Sequence, residues 1–259
     1  MTRLPLLKWW SGDPEAGWKV GRTFVPRIAV LLAPAAGYGV ERIPLEGGAV
    51  VAANHFSGID HPLIGGFSPR TIYFLAKAEL LEVPVVGAAL RSLGVFGVRR
   101  GEGDRDALRH ARKLAREGNL VGVHLEGTRQ RFGHPGPMHP GGLMIAMQEG
   151  VPVIPCGLDT FGWSPTNRRL CAVVWGDPMR LDDLPRNRRG YSQATEIVGS
   201  AIVRLWRQAA HAAAEGLPPE LPDGAKRSGI NPKVTADGAG PPQADRRRPA
   251  ENEPPRLAD

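Results

Sequence analysis

Residues 52–66 read AANHFSGIDHPLIGG, two histidines and an aspartate set in a small, mostly apolar segment. His55 and Asp60 are separated by four residues, with Gly58 between them to let the chain fold back. A carboxylate that accepts from one imidazole nitrogen fixes the tautomer and leaves the other nitrogen free as a base. That is the orienting half of a catalytic triad without its serine, and the chain has no G-x-S-x-G elbow to supply one. The nucleophile of such a dyad would arrive with the substrate. The segment also admits a packing reading, with His55 a buried hydrogen-bonded residue and Asp60 the cap of a following helix. His61, beyond Asp60 and before Pro62, reads as a bystander.

Three further segments carry polar residues next to apolar runs. In LGVFGVRRGEG (93–103), Arg99 and Arg100 adjoin Gly101 and Gly103 just before a helix. Paired guanidinium donors and helix-start amides suit a phosphate, although a solvated turn has the same composition. In VHLEGTRQ (123–130), Glu126 follows an apolar strand directly and needs a partner there, either Arg129 or a substrate hydroxyl. Gly127 permits a tight turn after it, and Thr128 can bond nearby backbone. GVPVIPCG (150–157) has little chemistry of its own and reads as a strand bracketed by prolines or the wall of an apolar channel.

The elements that must position these residues are short apolar runs separated by helical patterns. Strands are expected at 49–54, 71–76, 94–98, 120–125, 151–157 and 171–176. Helices are expected at 104–118, with Asp104 as N-cap and Gly118 as stop, at 141–150, and at 194–216, ending at Gly216 before Pro218. Alternation of this kind predicts an α/β fold with a largely parallel central sheet flanked by helices. The dyad then falls at the carboxyl end of a strand, where such folds place their sites.

Both ends of the chain differ from this core. Residues 1–40 combine Trp9, Trp10 and Trp18 with Lys8, Lys19, Arg22 and Arg27, which suits an amphipathic helical arm at a membrane–water interface or a helical arm packed on the domain. The core domain is set at 41–216. Residues 217–259 are dense in Pro, Gly and charge and are expected to be disordered. The net charge of +7 points to an anionic partner. No basic–aromatic reader motif argues for nucleic acid. The two cysteines, Cys156 and Cys171, form no metal spacing and no disulfide framework, which favours a reducing cytoplasm. The run at 28–37 is broken by Pro34 and falls short of the roughly 20 residues that span a bilayer.

In order and spacing, the four segments resemble the motifs of the phospholipid/glycerol acyltransferase family, whose best-known members are the 1-acylglycerol-3-phosphate acyltransferases. Asn54, His55 and Asp60 match N-H-x4-D; GVFGVRR (94–100) loosely matches the family's glycine–arginine motif. Glu126, Gly127, Thr128 and Arg129 match E-G-T-R; Val151, Pro152, Val153 and Pro155 match V-P-[VI]-x-P. KAEL (77–80) looks like the family's K-x-E-L. The chain departs in having Leu125 where the family usually has Pro, and Gln130 where it usually has Ser.

The resemblance implies transfer of a fatty acyl group from acyl-CoA or acyl-carrier protein to a lysophospholipid hydroxyl. His55 would be the base and Asp60 its orienter. Arg100, favoured over Arg99, would hold the acceptor's phosphate together with Arg129, and Glu126 would fix an arginine or an acceptor hydroxyl. No metal or redox cofactor is implied; the thioester is a co-substrate. The arm and the positive charge imply peripheral association with the cytoplasmic face of an anionic membrane. A thioesterase and a non-catalytic lipid-binding protein are the competing readings; the arginine-rich segments argue against the first and the intact His55–Asp60 pair against the second.

Overall fold

A computed structural model of the chain describes residues 33–83, 86–92, 94–98, 105–216 and 227–228. The expected arm up to residue 32, Arg99, Arg100, Asp104 and most of the tail lie outside the described residues.

Eight strands form one sheet among these residues, in the order β4-β3-β5-β2-β6-β7-β1-β8. They are β1 (Ala35–Tyr38), β2 (Ala49–Ala53), β3 (Ile72–Lys77), β4 (Phe96–Val98), β5 (Leu120–His124), β6 (Val153–Asp159), β7 (Cys171–Trp175) and β8 (Arg227–Ser228). The run β4-β3-β5-β2-β6 is parallel throughout; β7 is antiparallel to β6, and β1 returns parallel to β7. The helices are α1 (Asp60–Phe67), α2 (Ala78–Glu82), α3 (Val86–Ser92), α4 (Arg105–Arg116), α5 (Gly141–Glu149) and α6 (Arg188–Glu215). The architecture is therefore the expected α/β one, with a mostly parallel sheet.

Apolar cover on both faces explains why the strands read as continuous apolar runs rather than alternating ones. Ala49, Val51 and Ala53 face a cluster with Leu63, Ile64 and Phe67 of α1, whereas Val50 and Ala52 face Ala111 and Leu114 of α4, Leu143 and Ala146 of α5, and Val198 and Ile202 of α6. On β1 and β7, Ala36, Tyr38, Ala172 and Val174 pack under Leu205, Ala209 and Ala212. Helix α6 crosses β6 so closely that a Cβ at Gly157 would lie 2.1 Å from the backbone nitrogen of Trp206, so only glycine fits there.

Two boundaries differ most from the sequence expectation. Residues 35–38, placed with the arm, are a fully buried strand, because register with β7 extends the sheet by one apolar segment. Helix α6 begins six residues earlier than residue 194, where Asn187 caps it by accepting from the Gly190 N–H at 3.1 Å. At the amino ends of the strands, the Arg70 guanidinium donates to the carbonyls of Pro44, Gly47 and Gly118, tying the entries to β2 and β5 together.

Candidate active site

The carboxyl ends of three adjacent parallel strands, β5, β2 and β6, converge on His55. Asn54, fully buried, leaves β2 and clamps it to β6. Its Nδ2 donates to the Leu158 carbonyl and its Oδ1 accepts from the Leu158 N–H, both at 2.9 Å. His55 is held on the other side by the segment after β5. Its N–H donates to Glu126 Oε2 at 2.5 Å, and its carbonyl accepts from the Gln130 N–H at 2.8 Å. The motifs carrying His55 and Glu126 are thus clasped through the main chain.

The imidazole of His55 meets Asp60 through Nδ1, 2.7 Å from Oδ2. Asp60 is completely buried and is the first residue of α1. Its carboxylate does not cap that helix. It turns back to accept from the Phe56 N–H at 2.7 Å, the Ser57 N–H at 3.0 Å and the Ser57 hydroxyl at 2.9 Å, and from the Thr160 hydroxyl at the end of β6. Burial pushes its pKa up. The hydrogen bond from His55, the charges of His124 and His55, and the Thr160 hydroxyl outweigh burial and hold it below the ordinary carboxylate value. An ionised Asp60 requires the Nδ1–H tautomer of His55, so Nε2 carries the free lone pair. Nε2 has no hydrogen-bond partner among the described residues.

Gly58 does not perform the role its type suggested. Its φ is not positive, and a Cβ built there would meet nothing within 4 Å. The turn is closed by the donors gathered on Asp60. Gly127 does meet expectation: it has φ +65° in the turn that follows Glu126.

Two more imidazoles surround the base. His124, the last residue of β5, stacks on His55 with centroids 4.0 Å apart and planes 10° apart. Its Nδ1 lies 2.7 Å from the Asn54 carbonyl, so it carries the proton there and Nε2 is left buried without a partner. Burial, then the nearby His61 and His55, push its pKa well below the ordinary histidine value. His61 sits edge-on to His55 at 5.5 Å, to His124 at 4.7 Å and to Phe74 at 4.7 Å. Burial, then the charges of His55 and Arg129, lower its pKa to about 4 against the pull of Asp60. Both rings are neutral around the base at neutral pH.

Glu126 is 3% exposed, and both its oxygens are used: Oε2 by the His55 amide and Oε1 by the Gly136 amide at 2.8 Å. The sequence suggested an arginine or a hydroxyl as its partner; in this geometry backbone amides satisfy it instead. Burial raises its pKa to about 7, against the two amide hydrogen bonds and with a small further push from Asp60. Gly127, Thr128 and Arg129 follow it as an exposed turn. The expected proline-rich strand is β6, buried along its whole length, which favours the packing reading.

Two hydroxyls and both thiols among the described residues are not poised as nucleophiles. Ser57 Oγ donates to Asp60, and Ser68 Oγ donates to the Arg70 carbonyl. Cys156 and Cys171 are buried; burial pushes Cys156 up strongly and Cys171 up to about 12, so neither is a thiolate near neutrality. Thr160 and His124 were not singled out from sequence. Each acts across strands, and only the hydroxyl of Thr160 and the nitrogens of His124 hinted at a polar role.

Fold and site together define an α/β protein with a histidine held against a buried carboxylate at the carboxyl ends of parallel strands. The family model described as Acyltransferase matches residues 36–159, which span this site. The chain is 27% identical over 174 residues to the 1-acyl-sn-glycerol-3-phosphate acyltransferase of Bacillus subtilis, covering 65% of this chain and 86% of that protein. It is 35% identical over 108 residues to the lyso-ornithine lipid O-acyltransferase of Pseudomonas aeruginosa, covering 41% of each. It spans less than half the length of several other curated relatives. The crystal structure of the 1-acyl-sn-glycerophosphate acyltransferase PlsC from Thermotoga maritima superposes with a TM-score of 0.64 at 28% identity, over 74% of this chain and 80% of that one. Residues 36–159, which carry the site, match the acyltransferase family model, and the chain is similar in sequence and fold to 1-acyl-sn-glycerol-3-phosphate acyltransferases.

Proposed function

We propose that the protein transfers a fatty acyl group from an acyl thioester, acyl-CoA or acyl-carrier protein, to the hydroxyl of a lysophospholipid, 1-acylglycerol-3-phosphate in the first instance. The observation that carries this reading is the Nδ1–Oδ2 contact of 2.7 Å between His55 and a fully buried Asp60. The substrate class comes from the relatives, whose names specify phosphorylated and ornithine-linked lysolipids.

His55 Nε2 takes the proton of the acceptor hydroxyl as its oxygen attacks the thioester carbonyl. General base catalysis of this kind contributes about 10²–10⁴ in rate. Asp60 holds the tautomer and stabilises the imidazolium that forms. The tetrahedral oxyanion collapses by expelling the thiolate, a fair leaving group because thiols have pKa values near about 8.5, and His55 returns the proton to it. The bond formed is the ester and the bond broken is the thioester, so no acyl-enzyme is needed. Arg100, Arg99 and Arg129 supply the positive charge for the acceptor's phosphate. Glu126 acts through the His55 main chain. The reaction takes place at the cytoplasmic face of a membrane, where the tryptophan-, lysine- and arginine-rich sequence near the N-terminus suits an anionic surface.

An acyl-transfer assay with labelled acyl-CoA across a panel of lysolipid acceptors tests the proposal. Ester product that depends on a phosphate-bearing acceptor supports it. Free fatty acid released equally with and without acceptor contradicts it and indicates a thioesterase.

A further inference from the structure

The loop that follows Glu126 leaves the site and comes back to it. Gln130 N–H is bonded to the His55 carbonyl, and Gly136 N–H to Glu126 Oε1, so both ends of the segment 131–135 are pinned at the base. Between them the chain projects outward. Phe132 at its tip is 81% exposed, the most exposed large apolar side chain of those described, and it is flanked by exposed Arg131 and His134. Gly133 rests on Phe161, whose ring would lie 3.0 Å from a Cβ at that position. Phe161 is itself 38% exposed and meets Phe56 edge-on at 5.9 Å. The exposed tip is therefore linked, through Gly133 and the Phe161 ring, to Phe56, the residue after His55.

The exposed charge contributed by the segments around the tip is positive. Residues 127–148 contain no carboxylate but carry Arg129 and Arg131. Residues 160–176 also contain none and carry Arg168 and Arg169. Asp159, the acidic residue beside them, is paired with Arg169 at 2.6 Å. Arg129 and Arg131 form no ion pair among the described residues. A protruding, nearly fully exposed aromatic costs free energy in water unless it is covered, and arginine beside it suits a surface of phosphates over an apolar layer.

We propose that the tip Arg131–His134, with Phe161 behind it, inserts into the headgroup layer of an anionic bilayer and holds the mouth of the site against the leaflet. The inference rests on the reading that the acceptor is a lipid. It adds a membrane contact at the site itself, separate from residues 1–32. A convex tip with a bare phenyl ring favours a yielding lipid surface over an acidic carrier protein, which would need a matching cavity.

Because Cys156 and Cys171 are buried, a cysteine placed at the tip can be labelled selectively. The experiment uses the full chain with Phe132→Cys carrying an environment-sensitive fluorophore. Leu45→Cys serves as control, because Leu45 is 73% exposed and precedes β2, at the opposite ends of the strands. Vesicles containing phosphatidylglycerol should shift the Phe132→Cys emission to the blue and raise it about twofold or more, with a smaller response to pure phosphatidylcholine and none at position 45. Adding Arg131→Glu should weaken the vesicle titration about fivefold. Adding His55→Ala should leave the shift intact, which separates this inference from the proposed chemistry. Absence of a shift at 132, an equal shift at 45, or a shift produced by purified acyl-carrier protein without vesicles would each overturn the proposal.

Discussion

Glu126 braces His55 by its backbone, accepting the His55 N–H at 2.5 Å while its second oxygen accepts the Gly136 N–H. The carboxylate thus fixes where the base stands rather than touching what it acts on. Glu126→Gln offers one of these amides a donor instead of an acceptor. It should lower kcat about tenfold or more and destabilise the fold by about 1–3 kcal/mol, as for other unsatisfied buried donors. The pKa of Glu126 is raised from 4.5 to about 7, so the folded state binds this proton more tightly than the unfolded one. Its contribution to stability is greatest at low pH and declines as pH rises from about 4.5 to about 7. Denaturant titrations should therefore show the stability cost of Glu126→Gln shrinking between acidic and mildly alkaline buffer; a cost that grows would contradict the assignment.

Thr160 reaches Asp60 from β6, and its hydroxyl is one of the interactions that keep Asp60 ionised. Thr160→Val keeps the shape and removes the donor. Steady-state kinetics should show kcat falling about five- to thirtyfold, the equivalent of about 1–2 kcal/mol, with KM for the thioester unchanged. A pure KM effect would place Thr160 in substrate binding instead.

Three imidazoles lie within 5.5 Å of one another by ring centroid, yet only His55 contacts a carboxylate. Burial and mutual repulsion keep His61 and His124 neutral. His61→Gln should then leave the shape of log(kcat/KM) against pH unchanged between about pH 6 and 8. A change in that shape would mean that His61 carries charge in this range.

His124 presents its ring face to His55 and its Nδ1–H to the Asn54 carbonyl. The ring face is the feature that supports an imidazolium as it forms. His124→Ala should reduce kcat about tenfold, whereas His124→Phe, which keeps the stack, should retain most of it. Equal losses in the two variants would shift the role to the hydrogen bond.

For the phosphate of the acceptor, Arg100→Ala should raise the acceptor KM far more than the donor KM. Equal effects on both would count against a phosphate clamp.

The buried strands were legible because helices cover both faces of the sheet and leave unbroken apolar runs, as at 49–54 and 120–125. β1 escaped because AAGY follows an apolar run and Pro34, so it read as the end of the arm; its register with β7 depends on residues some 135 positions away. The first turn of α6 is polar and exposed at Arg188 and Arg189, so the apolar stripe showed the helix only from Ala194 onward. At the site, spacing alone left His55 and Asp60 open to a packing reading, and it was the resemblance carried by all four segments that favoured them as a base and its orienter. Glu126 was legible as a buried carboxylate in need of partners, but those partners are amides, which leave no mark in a sequence. Thr160 could not be seen, since nothing local links it to an aspartate 100 residues earlier. His61, read from sequence as a bystander, packs edge-on against His55 and His124.

The central claim is that His55 Nε2 takes the acceptor's proton. The most direct measurement is the single-turnover rate of acyl transfer from labelled acyl-CoA to 1-acylglycerol-3-phosphate by purified His55→Ala, with binding of both substrates measured in parallel. The account predicts a loss of about 10²–10⁴-fold in rate with binding essentially intact. A rate unchanged from the parent protein would contradict it.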